Sequence, residues 1–183
     1  MAATLEPLES TPGAAEGAQL WLVRAGSITE VSDLVVTEDW HGSVDGLGGF
    51  GLLLAWEGDA PGFDQVAALA RVLISQGLYY FGAWGDGDAR VEYAVDVTDV
   101  TMQIDASSGT DAAIVMTTAF GPVPLADALF ELSELAPRDE GKPDGPARVV
   151  VVIGNSAGEA LARTVVGWRR RGPAIPGEAA IGS

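Results

Sequence analysis

The sequence contains no cysteine, one lysine (Lys142) and one histidine (His41). Without cysteine the chain can form no disulfide, no thiolate nucleophile and no Cys-ligated zinc or iron–sulfur centre. Cationic side chains are scarce as well, because 10 Lys and Arg stand against 26 Asp and Glu, for a formal net charge of −16. So acidic a chain repels nucleic-acid phosphates and anionic lipid headgroups, and we expect neither nucleic acid nor a membrane among its partners.

Long hydrophobic runs are also missing. No apolar stretch approaches the roughly 20 residues that a membrane span needs. Residues 1–17 contain three glutamates, without the basic start and apolar centre of a secretory signal. We therefore expect a cytoplasmic location. Hydrophobic residues make up 48% of the 183 residues, which is enough for the core of one ordinary domain.

Composition divides the chain into an arm, a domain and a tail. Residues 1–17 show no hydrophobic period and predict a disordered N-terminal arm. Residues 172–183 are broken by proline and glycine and predict a flexible C-terminal tail. Residues 18–171 are expected to form a single domain. It would start with strands at 18–24 and 34–37, and we place His41 in a solvated loop after them.

From Leu52 onward, short apolar runs alternate with amphipathic segments of helical period. The runs are rich in β-branched or aromatic residues, as buried strands are, and they cover 52–56, 78–84, 112–118 and 149–153. The segments after them repeat apolar residues every three or four positions and predict helices. This alternation predicts an α/β fold: a three-layer α/β/α sandwich with a mostly parallel sheet, Rossmann-like or flavodoxin-like.

The predicted helices have recognisable first and last residues. Asp64 and Asp88 stand where a carboxylate caps a helix N-terminus, and Gly77 fits the left-handed position that ends the first helix. In the helix predicted over 89–102, the apolar period turns one set of residues inward: Val91, Val95, Thr98 and Met102. The same period turns three acidic residues outward: Glu92, Asp96 and Asp99.

Two further strings carry a resemblance to a known family. Gly77–Asp96 reads GLYYFGAWGDGDARVEYAVD, and Val115–Thr118 (VMTT) precedes a Pro-Leu-x-x-Ala-Leu-Phe segment at Pro124–Phe130. Together they resemble an uncharacterised bacterial α/β domain family marked by a WG…D turn-helix and a VMTT strand, over about residues 50–155. Members of that family usually have Trp-His after the two threonines, where this chain has Ala119 and Phe120. The resemblance implies the α/β fold and no particular activity.

The string Gly154-Asn155-Ser156-Ala157-Gly158 has the G-x-S-x-G pattern between a strand and a helix, which resembles the nucleophile elbow of α/β-hydrolases. In that mechanism an acid and a histidine follow the serine, but the 27 residues after Ser156 contain neither histidine nor aspartate. Ser156 with Glu159 also matches the S-x-x-E capping box, in which the serine satisfies a backbone amide of its own helix. We favour the cap, with a nucleophile and a weak anion site as the alternatives.

Polar residues that follow the predicted strands would share one rim, because open α/β sheets bind ligands beyond the carboxyl ends of their strands. The candidate ligand-binding residues are Asp86, Asp88, Thr117, Thr118, Asn155 and Ser156. The candidates for a Mg²⁺ site are Glu57, Asp59, Asp86 and Asp88. Each of these acids is equally typical of a turn or a helix cap, so we expect neither a metal nor a cofactor.

Charge is unevenly distributed, with a net of +3 on residues 147–183 and −19 on residues 1–146. This contrast favours docking to a basic partner surface or head-to-tail self-association. No nucleophile–base pair and no phosphate-binding glycine loop is evident, so we predict a non-catalytic module that acts through protein–protein contact via its acidic surface. The alternatives are a small serine hydrolase using Ser156 and a Mg²⁺-dependent phosphate-processing enzyme using Asp86 and Asp88.

Overall fold

A computed structural model of the chain describes residues 2–8, 19–44, 49–105, 114–135, 147–154 and 156–171. Its strands are β1 Thr4–Leu8, β2 Leu20–Ala25, β3 Phe50–Trp56, β4 Leu78–Trp84, β5 Met116–Ala119 and β6 Ala147–Ile153. Its helices are α1 Ile28–Val35, α2 Glu38–Ser43, α3 Phe63–Ser75, α4 Asp88–Asp105, α5 Leu125–Phe130 and α6 Ser156–Arg171, and α5 continues as a π-helical turn over Glu131–Leu135.

The strands form one six-stranded sheet in the order β1-β2-β6-β3-β4-β5. Strands β2 to β6 run parallel to one another, and β1 pairs antiparallel with β2 at the edge. Helices α1 to α4 pack against one face of the sheet, whereas α5, the π-helical turn and α6 pack against the other. The prediction of a three-layer α/β/α sandwich with a mostly parallel sheet is confirmed.

The two central strands of the sheet are buried on both faces, which explains why their sequences are continuous apolar runs. Every residue of β3 and β6 is buried, because each of these strands has a neighbour on both sides and helices on both faces. The predicted strand at 78–84 matches β4 in full, and the helix of Val66, Leu69 and Leu73 is α3. Gly77 has a φ of +91° after α3, as its predicted role at the helix end requires.

Residues 4–8 correct the prediction of a disordered arm, since they form β1. Leu5 packs against the core on one face of the sheet and Leu8 against the core on the other. Glu6 forms an ion pair of 2.8 Å with Arg24 of β2. The prediction of an arm over residues 1–17 is therefore wrong for this segment. Residues 9–17 and the predicted tail at 172–183 lie outside the described residues.

The strand predicted at 34–37 is also wrong, because helix α1 covers residues 34 and 35 and the turn after it covers residues 36 and 37. Ile28, Val31 and Val35 are buried at helical spacing. The Ser27 hydroxyl accepts a hydrogen bond from the Glu30 amide and caps the helix. The next helix, α2, contains His41, whose side chain is exposed as predicted but belongs to a helix rather than a loop. No helix in the described part of the chain is both long and apolar enough to span a membrane.

Of the two tyrosines of β4, Tyr80 is buried and Tyr79 is partly buried. Burial raises the pKa of both hydroxyls, against the opposing effects of the Arg148 guanidinium on Tyr79 and of a hydrogen bond to Thr118 on Tyr80. A tyrosine whose pKa is raised by folding stabilises the fold below its unfolded-state pKa of 10.0. That contribution is lost as the pH rises through the folded-state pKa.

We therefore expect the free energy of unfolding to fall steeply above about pH 10, and the Tyr80→Phe variant to fall less steeply. Urea denaturation between about pH 8 and pH 11 measures the slope. Identical slopes for wild type and Tyr80→Phe would contradict the assignment.

Candidate functional site

At the carboxyl end of the sheet the chain leaves β4 and β5 toward opposite faces. Strand β4 continues into α4 on one face, and β5 continues into α5 on the other. Connections that diverge in this way leave a crevice between them, which is where open α/β sheets bind ligands. A cleft of about 400 Å³ lies at this point, and its lining includes Trp56, Glu57, Trp84, Asp86, Asp88 and Gly121.

Asp88, the first residue of α4, ties the two diverging connections together. One carboxylate oxygen accepts a hydrogen bond from the Ala89 amide at 2.8 Å, and the other accepts one from the Gly121 amide in the turn after β5. The side chain is buried in doing so. Asp88 therefore satisfies backbone amides on both sides of the cleft, and both of its oxygens have donors.

The two tryptophans of the cleft hold its loops in the same way. The Trp56 indole N–H donates to the Asp86 carbonyl at 3.2 Å, and the Trp84 indole N–H donates to the Val123 carbonyl at 2.7 Å. Each ring thus anchors the loop that follows a neighbouring strand. Both residues end runs that the sequence predicts as buried strands, but the pattern does not reveal these contacts, because they depend on which strands are neighbours.

Gly85 is needed where the turn after β4 passes Trp56. Its φ is +143°, and a Cβ at this position would lie 2.7 Å from the Trp56 carbonyl oxygen. Ordinary van der Waals contact begins well beyond that distance. The first glycine of the Gly85-Asp86-Gly87 turn therefore lets two strand ends approach closely, and the cleft depends on that approach.

The sequence-predicted rim residues are only partly brought together. Glu57, Asp86 and Asp88 line the cleft, whereas Asp59 is an exposed residue of the loop after β3 and is not part of its lining. Within the described residues, no three His, Asp or Glu side chains are placed to hold a metal ion together.

The two threonines of β5 point away from the cleft toward opposite faces of the sheet. The Thr117 hydroxyl donates to Asp96 of α4 at 2.7 Å, while Thr118 hydrogen-bonds Tyr80 on the other face. Both hydroxyls thus bind neighbouring side chains. Asn155 and the side chain of Ser156 lie outside the described residues, so their predicted roles remain predictions.

The turn before α6 is tight, as the glycine spacing predicted. Gly154 has a φ of +127°, and a Cβ there would lie 3.3 Å from the Gly158 amide nitrogen. Glu159 has a carboxylate oxygen 3.7 Å from the Arg24 guanidinium, so β2 supplies a partner for the glutamate of the predicted capping box.

His41 lies at the opposite end of the sheet from Ser156. Trp40, its neighbour in α2, packs edge-on against Phe50, the first residue of β3, with ring centroids 5.5 Å apart. Ser156 follows β6, whose last residue, Ile153, is level with the last residue of β3. A strand of this length spans roughly 20 Å. The fold therefore does not bring the single histidine to the serine turn.

Helix α4 carries apolar side chains on two opposite faces. The inner face packs on the sheet through Val91, Ala94, Val95 and Thr98. On the outer face, four large side chains are exposed by 62%, 36%, 54% and 65%, respectively: Tyr93, Val97, Val100 and Ile104. We call these four residues the α4 stripe. Their spacings of four, three and four residues align them along the helix, and a solvent-facing helix surface is normally polar.

Charged and aromatic residues border the α4 stripe. Phe63 of α3 contacts the Tyr93 ring, with centroids 6.3 Å apart, and extends the apolar surface. Arg90 is exposed near the start of the helix, and Asp96 and Asp105 are exposed farther along it. The stripe is thus an apolar surface with a cation toward one end and acids beside it and at the other end.

Asp99 corrects the prediction that all three acids of α4 face outward. It is buried, and one of its oxygens accepts hydrogen bonds from the Val115 amide at 3.4 Å and from the Gln103 side chain at 2.7 Å. The α4 stripe itself was missed in the sequence, although its period is visible there. The outward set differs from the inward set in that the sheet does not cover it.

No model of a known protein family, no curated protein and no solved structure matches this chain. The resemblance to a bacterial α/β domain family therefore stays a prediction, as do Rossmann-like and flavodoxin-like as descriptions of the sheet. The contacts of the cleft and the exposure of the α4 stripe are the observations from which a function can be inferred.

Proposed function

We propose that this protein is a non-catalytic interaction module that binds a protein surface through the α4 stripe. The observation that supports the proposal is the exposure of four large apolar side chains along one helix face, opposite the face that packs on the sheet. A contiguous exposed apolar surface bordered by polar residues is typical of a protein-binding site. Full burial of each such side chain against a partner contributes about 1.5–3 kcal/mol, which offsets much of the cost of association.

The acidic surroundings of the stripe influence which partner it accepts. Asp96 and Asp105 are exposed beside it, and the chain as a whole carries a net charge of −16. Carboxylates around an apolar contact speed the encounter with a partner that brings cations and disfavour one that brings only carboxylates. The partner surface should therefore be apolar at its centre and bring basic groups to these acids.

The contacts of the cleft favour this module over the two enzymatic alternatives. Asp88 uses both carboxylate oxygens, and Trp56 and Trp84 use their indole N–H groups, in hydrogen bonds that hold the loops. A general acid, base or metal ligand must instead present its atoms to a substrate or an ion. The position of His41 at the far end of the sheet likewise keeps the single histidine away from Ser156.

Site-specific photo-cross-linking tests the proposal. A photoreactive phenylalanine analogue is placed at Val97, and the variant is expressed in the organism that encodes the protein. We expect irradiation to join Val97 to a protein. The control variant carries the analogue at Val36, which is 60% exposed but lies in the turn after α1. Equal adduct yields at both positions would contradict the proposal, and ester hydrolysis that Ser156→Ala abolishes would replace it with the hydrolase.

A further inference from the structure

We propose that the occupant of the α4 stripe is a second copy of this chain, docked antiparallel through the same stripe about a two-fold axis. The inference rests on the proposed function, because it names the partner for that surface. A two-fold interface requires a surface that is complementary to itself, and both the apolar pattern and the charges of α4 have this property.

The apolar pattern of the stripe reads the same in both directions. Tyr93, Val97, Val100 and Ile104 are separated by four, three and four residues. An antiparallel alignment therefore sets Tyr93 level with Ile104 and Val97 level with Val100, and each pairing occurs twice. The two-fold axis passes between Val97 and Val100. Alternating spacings of three and four are also those of the seam between two packed helices.

The charges of the helix fit the same alignment. Arg90 near the start of one helix comes beside Asp105 at the end of the other, and symmetry repeats the pair. Both side chains are exposed, and in the part of the chain that the structure describes neither belongs to an ion pair. Asp96 comes level with Thr101 of the second copy, and Asp105 comes level with Glu92, whose carboxylate accepts a hydrogen bond from Thr117 of its own chain. The second copy thus brings a basic group to Asp105, one of the two acids that border the stripe.

Salt dependence separates this occupant from a different, basic protein. Two chains that each carry a charge of −16 repel one another at long range, and salt screens that repulsion over a Debye length of about 8 Å at 0.15 M. The self-association constant should therefore rise as salt is added. Binding of a basic protein to the same surface would weaken instead.

Sedimentation equilibrium of the full chain at several salt concentrations measures the association. We expect a dimer whose dissociation constant rises about 100-fold in Val97→Lys, because the substitution places a charge at the centre of the interface twice. Val36→Lys is the matched control and should leave the dissociation constant unchanged. Circular dichroism of both variants checks that each remains folded.

The charge pair provides a rescue experiment. Arg90→Glu and Asp105→Arg should each weaken the dimer, since each places like charges opposite one another. The double variant restores opposite charges across the interface and should recover most of the affinity. Weakening by both single variants without recovery in the double variant would contradict the antiparallel alignment.

Cross-linking tests the register without background, because the chain has no cysteine of its own. A mixture of Tyr93→Cys and Ile104→Cys chains should join through a short bis-thiol reagent. Tyr93→Cys chains alone should not, since their two copies would lie roughly 16 Å apart along the helix axis. Efficient self-linking of Tyr93→Cys would overturn the proposed register.

A stripe that binds a different protein and a stripe that binds nothing would give different results in these experiments. A chain that is monomeric at every salt concentration, with a photo-adduct from Val97 to a different protein, overturns the second copy as occupant and leaves the interaction module in place. A monomer without any adduct overturns both. A dimer that Val97→Lys does not weaken shows that the chain associates through another surface, and it overturns the inference.

Discussion

Replacing Gly85 with alanine should lower the free energy of unfolding by about 3 kcal/mol. The new Cβ would lie 2.7 Å from the Trp56 carbonyl oxygen and equally close to the Trp56 indole. Trp56 cannot move aside cheaply, because its ring is almost fully buried and its N–H is bonded to the Asp86 carbonyl. Urea denaturation of the variant and the wild type measures the loss.

Gly58→Ala is the control that separates backbone strain from the clash. Gly58 has a φ of +90°, and no atom lies within 4 Å of the Cβ position. This substitution adds a side chain to an unfavourable backbone conformation and nothing more, for a cost of about 1 kcal/mol. Equal losses in the two variants would show that the approach of Gly85 to Trp56 is unimportant for stability.

The sequence predicts best those strands that are buried on both faces of the sheet. Strands β3, β4 and β6 have helices on both faces and a strand on either side, so a short run of apolar residues identifies each of them. Helix α3 has one buried face and a glycine at its end, and both features are local in sequence.

The parts that the sequence does not predict depend on distant partners. Residues 4–8 have a composition typical of a loop, and they form a strand because β2 offers an edge and Arg24 offers a cation to Glu6. Asp99 is acidic and was expected at the surface, but the Val115 amide needs an acceptor at that point. Neither partner can be identified until the order of the strands is known.

The candidate site shows the same division. The rule that ligands bind beyond the carboxyl ends of strands correctly placed Glu57, Asp86 and Asp88 along one cleft. It placed Thr117 and Thr118 there as well, although successive residues of a strand face opposite sides of a sheet. Which side each hydroxyl faces depends on the register of β5 against β4, and a four-residue strand carries too short a pattern to fix that register.

The cleft and the α4 stripe are mechanically connected through the first turn of α4. Asp88 fixes that turn to the connection after β5, and the stripe begins five residues later at Tyr93. We therefore expect this hydrogen bond to contribute to the direction in which the stripe projects from the sheet, together with the packing of α4 on α3 and the sheet. A cleft whose polar groups hold loops in place thus contributes to presenting an interaction surface on the same helix.

Asp88→Ala should consequently lower the free energy of unfolding by about 2–3 kcal/mol. The change leaves the Gly121 and Ala89 amides without their carboxylate acceptor, and a hydrogen bond to a charged group contributes about 1.5–3 kcal/mol. Asp88→Asn should lose less, because its amide oxygen still accepts one of the two bonds. Thermal and urea unfolding of the three proteins measures the series.

Asp86→Ala is the control, because Asp86 lies in the same turn with an exposed side chain and should change stability by less than about 0.5 kcal/mol. Equal effects at the two positions would mean that the negative charge of the turn matters for stability, rather than the hydrogen bond from the Gly121 amide to Asp88.

The dissociation constant of the dimer provides a second measurement, since a first turn of α4 that is released from the connection after β5 tilts the α4 stripe. Asp88→Ala should then weaken self-association at temperatures where the chain is still folded. If Asp88→Ala loses stability but keeps the wild-type dimer constant, the orientation of α4 is set by its packing on α3 and the sheet and not by this carboxylate.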